Sequence, residues 1–149
     1  MENYTITPVA IVENSMNEPA DYNKIKKCES IIHIHEDYQD GLFNIESCEY
    51  LDIYFIFNQS QNYSLKVEVH DKKERGVFAS RSPKRPNSIG FTTVKLLKRE
   101  GDKLFVTGLD AINNTPVIDI KSSDTSFFEL HSNFNKAHQA VLKSRPRIE

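Results

Sequence analysis

Residues 77 to 90 read Val77-Phe78-Ala79-Ser80-Arg81-Ser82-Pro83-Lys84-Arg85-Pro86-Asn87-Ser88-Ile89-Gly90, and they set three cations around two prolines. Pro83 and Pro86 fix φ and remove two backbone donors, so Ser82 to Asn87 cannot lie in the middle of a sheet or a helix. The segment is predicted to be a stiff loop in which Arg81, Lys84 and Arg85 offer donors to a carboxylate or a phosphate. Taken alone, its composition favours a plainer reading, a surface turn with solvated charges. A second stretch runs from Gly108 to Lys121, where Asp110 and Asp119 flank Asn113-Asn114. Asparagine tolerates the left-handed region, which predicts a hairpin turn between two strands. A cationic loop and an acidic hairpin in one small β-domain can together serve a zwitterionic ligand.

Other chemistries find less support. His33 and His35 lie two apart on a predicted strand and would share a face, as a metal site requires. No third ligand is near in sequence, and a strand showing two polar residues to solvent has the same pattern, so no metal is predicted. The chain has no Gly-x-Ser-x-Gly elbow and no cysteine in a reactive context. Its five glycines form neither Gly-x-Gly-x-x-Gly nor a phosphate-binding loop, which argues against a dinucleotide fold.

The elements that must position these residues are mostly strands. Thr5 to Glu13 and Ser30 to His35 alternate, with a polar loop from Asn14 to Lys27 between them and a turn at Asp40-Gly41 after them. Tyr50 to Asn58 is so continuously apolar that it is expected at the centre of the sheet, buried on both faces. Leu65 to His70 alternates and is expected to pair near it. Ile89 to Leu97, Lys103 to Leu109 and Thr115 to Ile120 complete the set, with a hairpin turn at Arg99-Glu100-Gly101-Asp102. About seven short strands with tight turns predict a mainly β protein, an antiparallel barrel or sandwich. Residues 124–149 carry the one helical period: Asp124 or Ser126 as cap, then Phe127, Leu130, Phe134, Ala137 or His138, and Val141 on one stripe.

At 149 residues the chain fits one domain with a self-sufficient core, and 38% apolar content without low-complexity runs fits a folded globular protein. Neither a span-length apolar run nor a basic-then-apolar N-terminus is present, so no membrane partner is expected and a cytoplasmic location follows by default. Cys28 and Cys48 are read as reduced thiols. The net charge of −2 hides an asymmetry: Lys72 to Arg99 holds nine cations against Glu74 alone, a local +8, and the remainder carries −10. A basic stripe on an acidic body suits a polyanion such as RNA, and equally a small anionic ligand.

The two motif blocks resemble the TrmO family (TsaA-like or YaeB-like), whose pattern runs Gly-Val-Phe-Ala-Thr-Arg-Ser-Pro-x-Arg-Pro-Asn-Pro-Ile-Gly, then Leu-Asp-x-x-x-Gly-Thr-Pro-Val-x-Asp-Ile-Lys-Pro-Tyr. Here the blocks are Gly76 to Gly90 and Leu109 to Lys121. Weaker similarity covers Tyr38-Gln39-Asp40-Gly41-Leu42 and Phe57-Asn58-Gln59, so that the resemblance spans roughly residues 4 to 122. It implies an antiparallel β-barrel over residues 1–123 with a C-terminal helix and tail over 124–149. It also implies a homodimer that binds S-adenosylmethionine and methylates N6 of threonylcarbamoyl-adenosine next to the anticodon of a tRNA.

Carried over by position, the resemblance makes Asn58, Gln59, Arg81, Phe91, Leu109, Asp110, Ala111 and Ile112 cofactor-binding. Arg81 would hold the methionine carboxylate, the backbone of Leu109 to Ile112 would read the adenine edge, and Phe91 would pack on the cofactor. Arg85, Asn87 and Lys121 are candidates for substrate handling, and Asp119 is the one motif carboxylate nominated as catalytic base. Four departures stand out. Ser88 replaces the second proline of Pro-Asn-Pro, which predicts a looser loop. Ser122-Ser123 replaces Pro-Tyr, Asn58 replaces His, and Glu18-Pro19-Ala20 stands near the expected Pro-Arg-Gln. They leave open a non-enzymatic S-adenosylmethionine- or RNA-binding module, or methylation of another small amine.

Overall fold

Strand periodicity dominates the computed structural model, which describes residues 1–69 and 71–123. Six strands close into a barrel: β1 (Ala10–Glu13), β2 (Glu29–Ile34), β3 (Tyr50–Ile56), β6 (Ile89–Glu100), β7 (Lys103–Thr107) and β8 (Pro116–Ser123). Their order around the barrel is β1-β2-β7-β6-β3-β8, with β8 returning to β1, and every pair is antiparallel. The remaining two strands, β4 (Lys66–Glu68) and β5 (Glu74–Gly76), form a separate hairpin. The antiparallel barrel is therefore as expected, with six barrel strands where about seven were predicted.

Alternation fills the barrel. Val12, Ile32, Ile34, Leu51, Ile53, Phe55, Val94, Leu104, Val106 and Val117 point inward and are almost wholly buried, and Leu109 joins them from the segment after β7. Each fully buried side chain of this kind contributes roughly 1.5–3 kcal/mol of hydrophobic stabilisation. Two departures from strict pairing let strands bend: the register of β6 with β7 shifts between Leu96 and Lys98, and that of β3 with β8 between Tyr54 and Phe55.

Several sequence expectations need correction. The strand at Tyr50 to Ile56 is central, flanked by β6 and β8, but only Leu51, Ile53 and Phe55 are buried, and Tyr50, Asp52, Tyr54 and Ile56 are half-buried on the outer face. Leu65 to Val69 does not join it, because Lys66–Glu68 pairs with Glu74–Gly76 instead; His70 lies outside the described residues. The polar stretch before β2 contains a six-residue helix, α1 (Tyr22–Lys27), capped by the Asp21 carboxylate accepting from the Lys24 amide at 2.9 Å. Asp40-Gly41 falls within a 3-10 helix, Glu36–Leu42. His35 caps that helix through Nδ1 (3.2 Å from the Asp37 amide nitrogen) while His33 stays on β2 against Glu13, so the two imidazoles do not form a shared metal face. The helix expected at 124–149 lies outside the described residues. Among the described residues, no helix is long and apolar enough to cross a membrane.

Candidate functional site

The proline loop is rigid for more reasons than its prolines. Arg85 folds back on the segment, its Nη2 donating to the Val77 carbonyl at 2.8 Å and, with Nη1, reaching the Ser80 carbonyl at 3.4 Å. Ser80 Oγ donates to the Val77 carbonyl at 2.8 Å and accepts from the Ser82 amide at 3.2 Å. Ser88 takes a left-handed φ of 46°, with its amide and its hydroxyl both donating to the Arg85 carbonyl at 3.2 Å. The Phe57 amide then donates to the Ser88 carbonyl at 2.8 Å, which fastens the loop to the end of β3. A proline could adopt neither that φ nor the amide bond. The serine thus closes the turn, where a looser loop was expected.

The acidic stretch is not the predicted hairpin, because β7 and β8 are not neighbours in the barrel. Residues 108–115 instead cross its end and are pinned by β1 and the residues directly after it, Asn14 and Met16. The Asn114 and Asn113 amides donate to the Val12 and Met16 carbonyls, each at 2.7 Å, and Asn114 has the left-handed φ its residue type suggested. Asn14, read from sequence only as the start of a polar loop, is the organiser: its Nδ2 donates to the Ala111 carbonyl (2.8 Å) and Ser30 Oγ (3.0 Å), and its amide to Asn113 Oδ1 (3.1 Å). An asparagine directly after a strand was the only sequence signal.

Between these two pieces opens a cleft of about 120 Å³, lined by Phe55, Phe57, Ser80, Arg81, Arg85, Ile89, Gly90, Phe91 and Asp110. Three of these are charged: Arg85, which is engaged with the loop carbonyls, Arg81, whose Nη2 donates to the Phe91 carbonyl at 2.5 Å, and Asp110. Loss of surrounding water pushes the Asp110 carboxyl above the ordinary carboxylate value, and the nearby Arg81 guanidinium pulls the other way. The floor is aromatic: Phe55 and Phe57 meet edge to face at 5.2 Å, and Phe91 lies 5.1 Å from Tyr54. A Cβ on Gly90 would run into the Phe55 ring, so glycine is what lets the ring lie under the cleft.

Of the predicted site residues, the structure brings together Arg81, Phe91, Asp110 and Arg85. Leu109 and Ala111 have buried side chains, and the Ala111 and Ile112 carbonyls already accept bonds from Asn14 and Thr115, which limits what that backbone can offer a ligand. Asn58, Gln59 and Asn87 are exposed and do not line the cleft. Asp119 and Lys121 lie on the outer face of β8, paired with each other at 3.0 Å. The Asp119 hydrogen bond and charge push the Lys121 ammonium above the ordinary lysine value. Asp119 registers with Tyr54, which registers with Phe91, so two strand spacings, about 10 Å, separate the carboxylate from the cleft wall. Sequence reasoning missed Phe55, Phe57, Ser80, Ile89 and Gly90, which read there as core or loop. Among the described residues, no three His, Cys, Asp or Glu side chains converge as metal ligands would.

A closed six-stranded antiparallel barrel with cations, an anion and aromatic side chains lining one cleft defines an all-β domain with a candidate small-ligand site. Residues 10–126 match the model of the tRNA-methyltransferase O N-terminal domain, and the chain belongs to that family. It is 50% identical over 91 residues to a probable S-adenosyl-L-methionine-binding protein of Archaeoglobus fulgidus, covering 60% of this chain and 25% of that protein. A second protein of that organism, an S-adenosyl-L-methionine-binding protein, is 34% identical over 120 residues, covering 78% of this chain and 86% of its own. The human tRNA (adenine(37)-N6)-methyltransferase is 39% identical over 87 residues, 56% of this chain and 20% of that protein. The chain thus spans a quarter or less of the length of two of these three relatives. The crystal structure of TrmO from Pseudomonas aeruginosa superposes with a TM-score of 0.68 at 25% identity, over 82% of this chain and 56% of that one.

Proposed function

We propose that the cleft binds S-adenosylmethionine and that the protein transfers its methyl group to N6 of an adenine in tRNA, with threonylcarbamoyl-adenosine beside the anticodon as the acceptor. The observation that carries this reading is the placement of Arg81 and Asp110, near enough to interact electrostatically, in the lining of one cleft with aromatic walls. That arrangement complements a ligand bearing a carboxylate, an ammonium and a sulfonium: Arg81 takes the carboxylate, Asp110 faces the cationic groups, and Phe91 packs on the apolar body. The names of the relatives point the same way, since two are called S-adenosyl-L-methionine-binding and one a tRNA methyltransferase.

When bound, the cofactor supplies an electrophilic methyl. The adenine nitrogen would take that methyl and give up its proton to solvent or to a base, with S-adenosylhomocysteine released. Alignment alone can contribute ~7–11 kcal/mol in favourable cases, so the residues need do little beyond positioning. Asp119 would take the proton only after giving up Lys121. Since 120 Å³ falls below the roughly 300–1,000 Å³ of enclosing ligand sites, one chain cradles only one end of this cofactor. A second copy closing over the cleft is what the homodimer would add. Cys28 and Cys48 are both free, in keeping with a cytoplasmic setting.

The pairing of Asp119 with Lys121 favours one alternative, a domain that binds the cofactor without turnover. Calorimetric titration with S-adenosylmethionine and S-adenosylhomocysteine tests the first step: no heat at millimolar ligand would end the reading. Transfer of labelled methyl to tRNA from a strain lacking the modification separates enzyme from binding module, and light scattering reports whether the protein is a dimer.

A further inference from the structure

The nine cations between Lys72 and Arg99 do not form one patch. Arg99 is tied to the Leu42 carbonyl at 2.9 Å and to Glu46 at 3.3 Å, and Lys98 to Glu100 at 2.8 Å, both at the end of β6 remote from the cleft. Residues 60–88 tell a different story. They hold seven cations against Glu68, Asp71 and Glu74, a local +4 on a chain of net −2. Arg75 is neutralised by Asp71 at 2.7 Å and Lys66 approaches Glu74 at 3.7 Å, whereas Lys72, Lys73 and Lys84 form no ion pair among the described residues.

The same surface exposes large apolar side chains that the barrel does not use. Tyr63 is 60% exposed, Leu65 62% and Phe78 81%. Backbone bonds hold them together: Val77 N–H to the Leu65 carbonyl at 2.9 Å, Ser64 N–H to the Lys84 carbonyl at 3.3 Å, and Ser60 Oγ to the Pro83 carbonyl at 3.2 Å. Phe78 belongs to the 3-10 turn Val77–Ala79, directly before the cleft residues Ser80 and Arg81. Two exposed aromatics thus lie near the rim of the cleft, with Lys84 beside the Ser64 bond and Lys72 and Lys73 at the far tip of the β4–β5 hairpin.

Single-stranded nucleic acid asks for this combination, aromatic faces for unstacked bases and cations for the intervening phosphates. An obligate protein interface would instead be depleted of lysine at its centre. We infer that Tyr63 and Phe78, with Lys84 beside them and Lys72 and Lys73 at the tip of the hairpin that leads away, form a platform on which unpaired bases of an RNA substrate stack beside the cleft. The inference rests on the tRNA reading above and assigns that reading its docking surface.

The test is fluorescence anisotropy of a labelled anticodon stem-loop RNA over a salt series, with the full chain. Tyr63→Ala/Phe78→Ala is expected to weaken binding roughly tenfold or more, and Tyr63→Phe/Phe78→Tyr, which keeps both rings, to restore it. Lys72→Ala/Lys73→Ala is expected to flatten the dependence of log affinity on log salt by about 1.4, two single-strand phosphate contacts. Calorimetry of S-adenosylmethionine should be the same for all variants. Wild-type protein that methylates tRNA, with RNA affinity and salt slope unchanged in the variants, would sink the platform and leave the enzyme reading standing. Wild-type protein that binds the cofactor but no RNA would remove both the tRNA reading and the platform. Conversion of a dimer to a monomer by the alanine pair, with RNA affinity intact, would assign this face to a second copy of the chain and overturn the platform.

Discussion

Replacing Ser88 by proline restores the residue that the motif resemblance leads one to expect, and it should weaken this protein. At a compatible position such a change stabilises by about 0.4–1 kcal/mol, by narrowing the unfolded ensemble. Here the backbone φ is 46° and proline holds φ near −65°, so the turn cannot survive as built. Three hydrogen bonds go with it: Ser88 amide and hydroxyl to the Arg85 carbonyl, both at 3.2 Å, and Phe57 amide to the Ser88 carbonyl at 2.8 Å. At about 1 kcal/mol each the loss is about 3 kcal/mol, partly recovered by solvation of the freed groups. For a protein of this size that corresponds to a fall in Tm of roughly 6–12 °C, readable by differential scanning calorimetry. Ser88→Gly serves as control, since glycine enters the left-handed region freely and keeps the amide bond; its Tm should stay much closer to wild type. A Ser88→Pro protein as stable as wild type, or more so, would refute the reasoning and give this turn a right-handed φ.

The remaining predictions concern the cleft. Arg81→Ala removes a charge-assisted contact and should raise the S-adenosylmethionine Kd by about 10- to 100-fold in calorimetry, with Tm nearly unchanged because the side chain is exposed; unchanged affinity would refute its role. Gly90→Ala forces the buried Phe55 ring aside, an overpacking cost of about 1–3 kcal/mol that thermal denaturation should register alongside weaker cofactor binding. Asp110 has a raised carboxyl value, so its proton favours the folded state below the ordinary 3.8, and that contribution disappears as pH rises through the raised value. The stability difference between Asp110→Asn and wild type should accordingly be flat in acid and shift in favour of the variant over that window. Cofactor affinity in the wild type should fall as pH drops into the same window, and Asp110→Asn should abolish that fall; a pH-independent difference would contradict the coupling.

The barrel was legible in the sequence where its causes are local. Alternation marked β1 and β2, the Gly101-Asp102 turn marked the β6–β7 hairpin, and the prolines marked the loop. What no local pattern records is partnership. Lys66–Glu68 looks like a sheet strand, yet nothing within it says that it pairs with Glu74–Gly76 and not with β3. Barrel closure joins β8 to β1 and to β3 across most of the chain, and that removed the hairpin expected between β7 and β8. The same holds for the site. Arg81 and Asp110 carried charges that could be nominated, whereas Asn14, Gly90 and Phe55 act only through what lies against them in three dimensions.

Closure of the barrel also decides how the molecule meets other copies of itself at high concentration. Each barrel strand has a neighbour on both sides over part of its length, which leaves only part-rows of backbone donors and acceptors, such as residues 89–94 of β6 and 118–123 of β8, onto which a foreign strand could add. The β4–β5 hairpin has such rows on both of its outer edges. There they are three residues long and carry Lys66 and Glu68 on one strand, Glu74 and Arg75 on the other. Short, charged borders of this kind resist growth into larger sheets, so this hairpin is a poor template for strand-mediated aggregation.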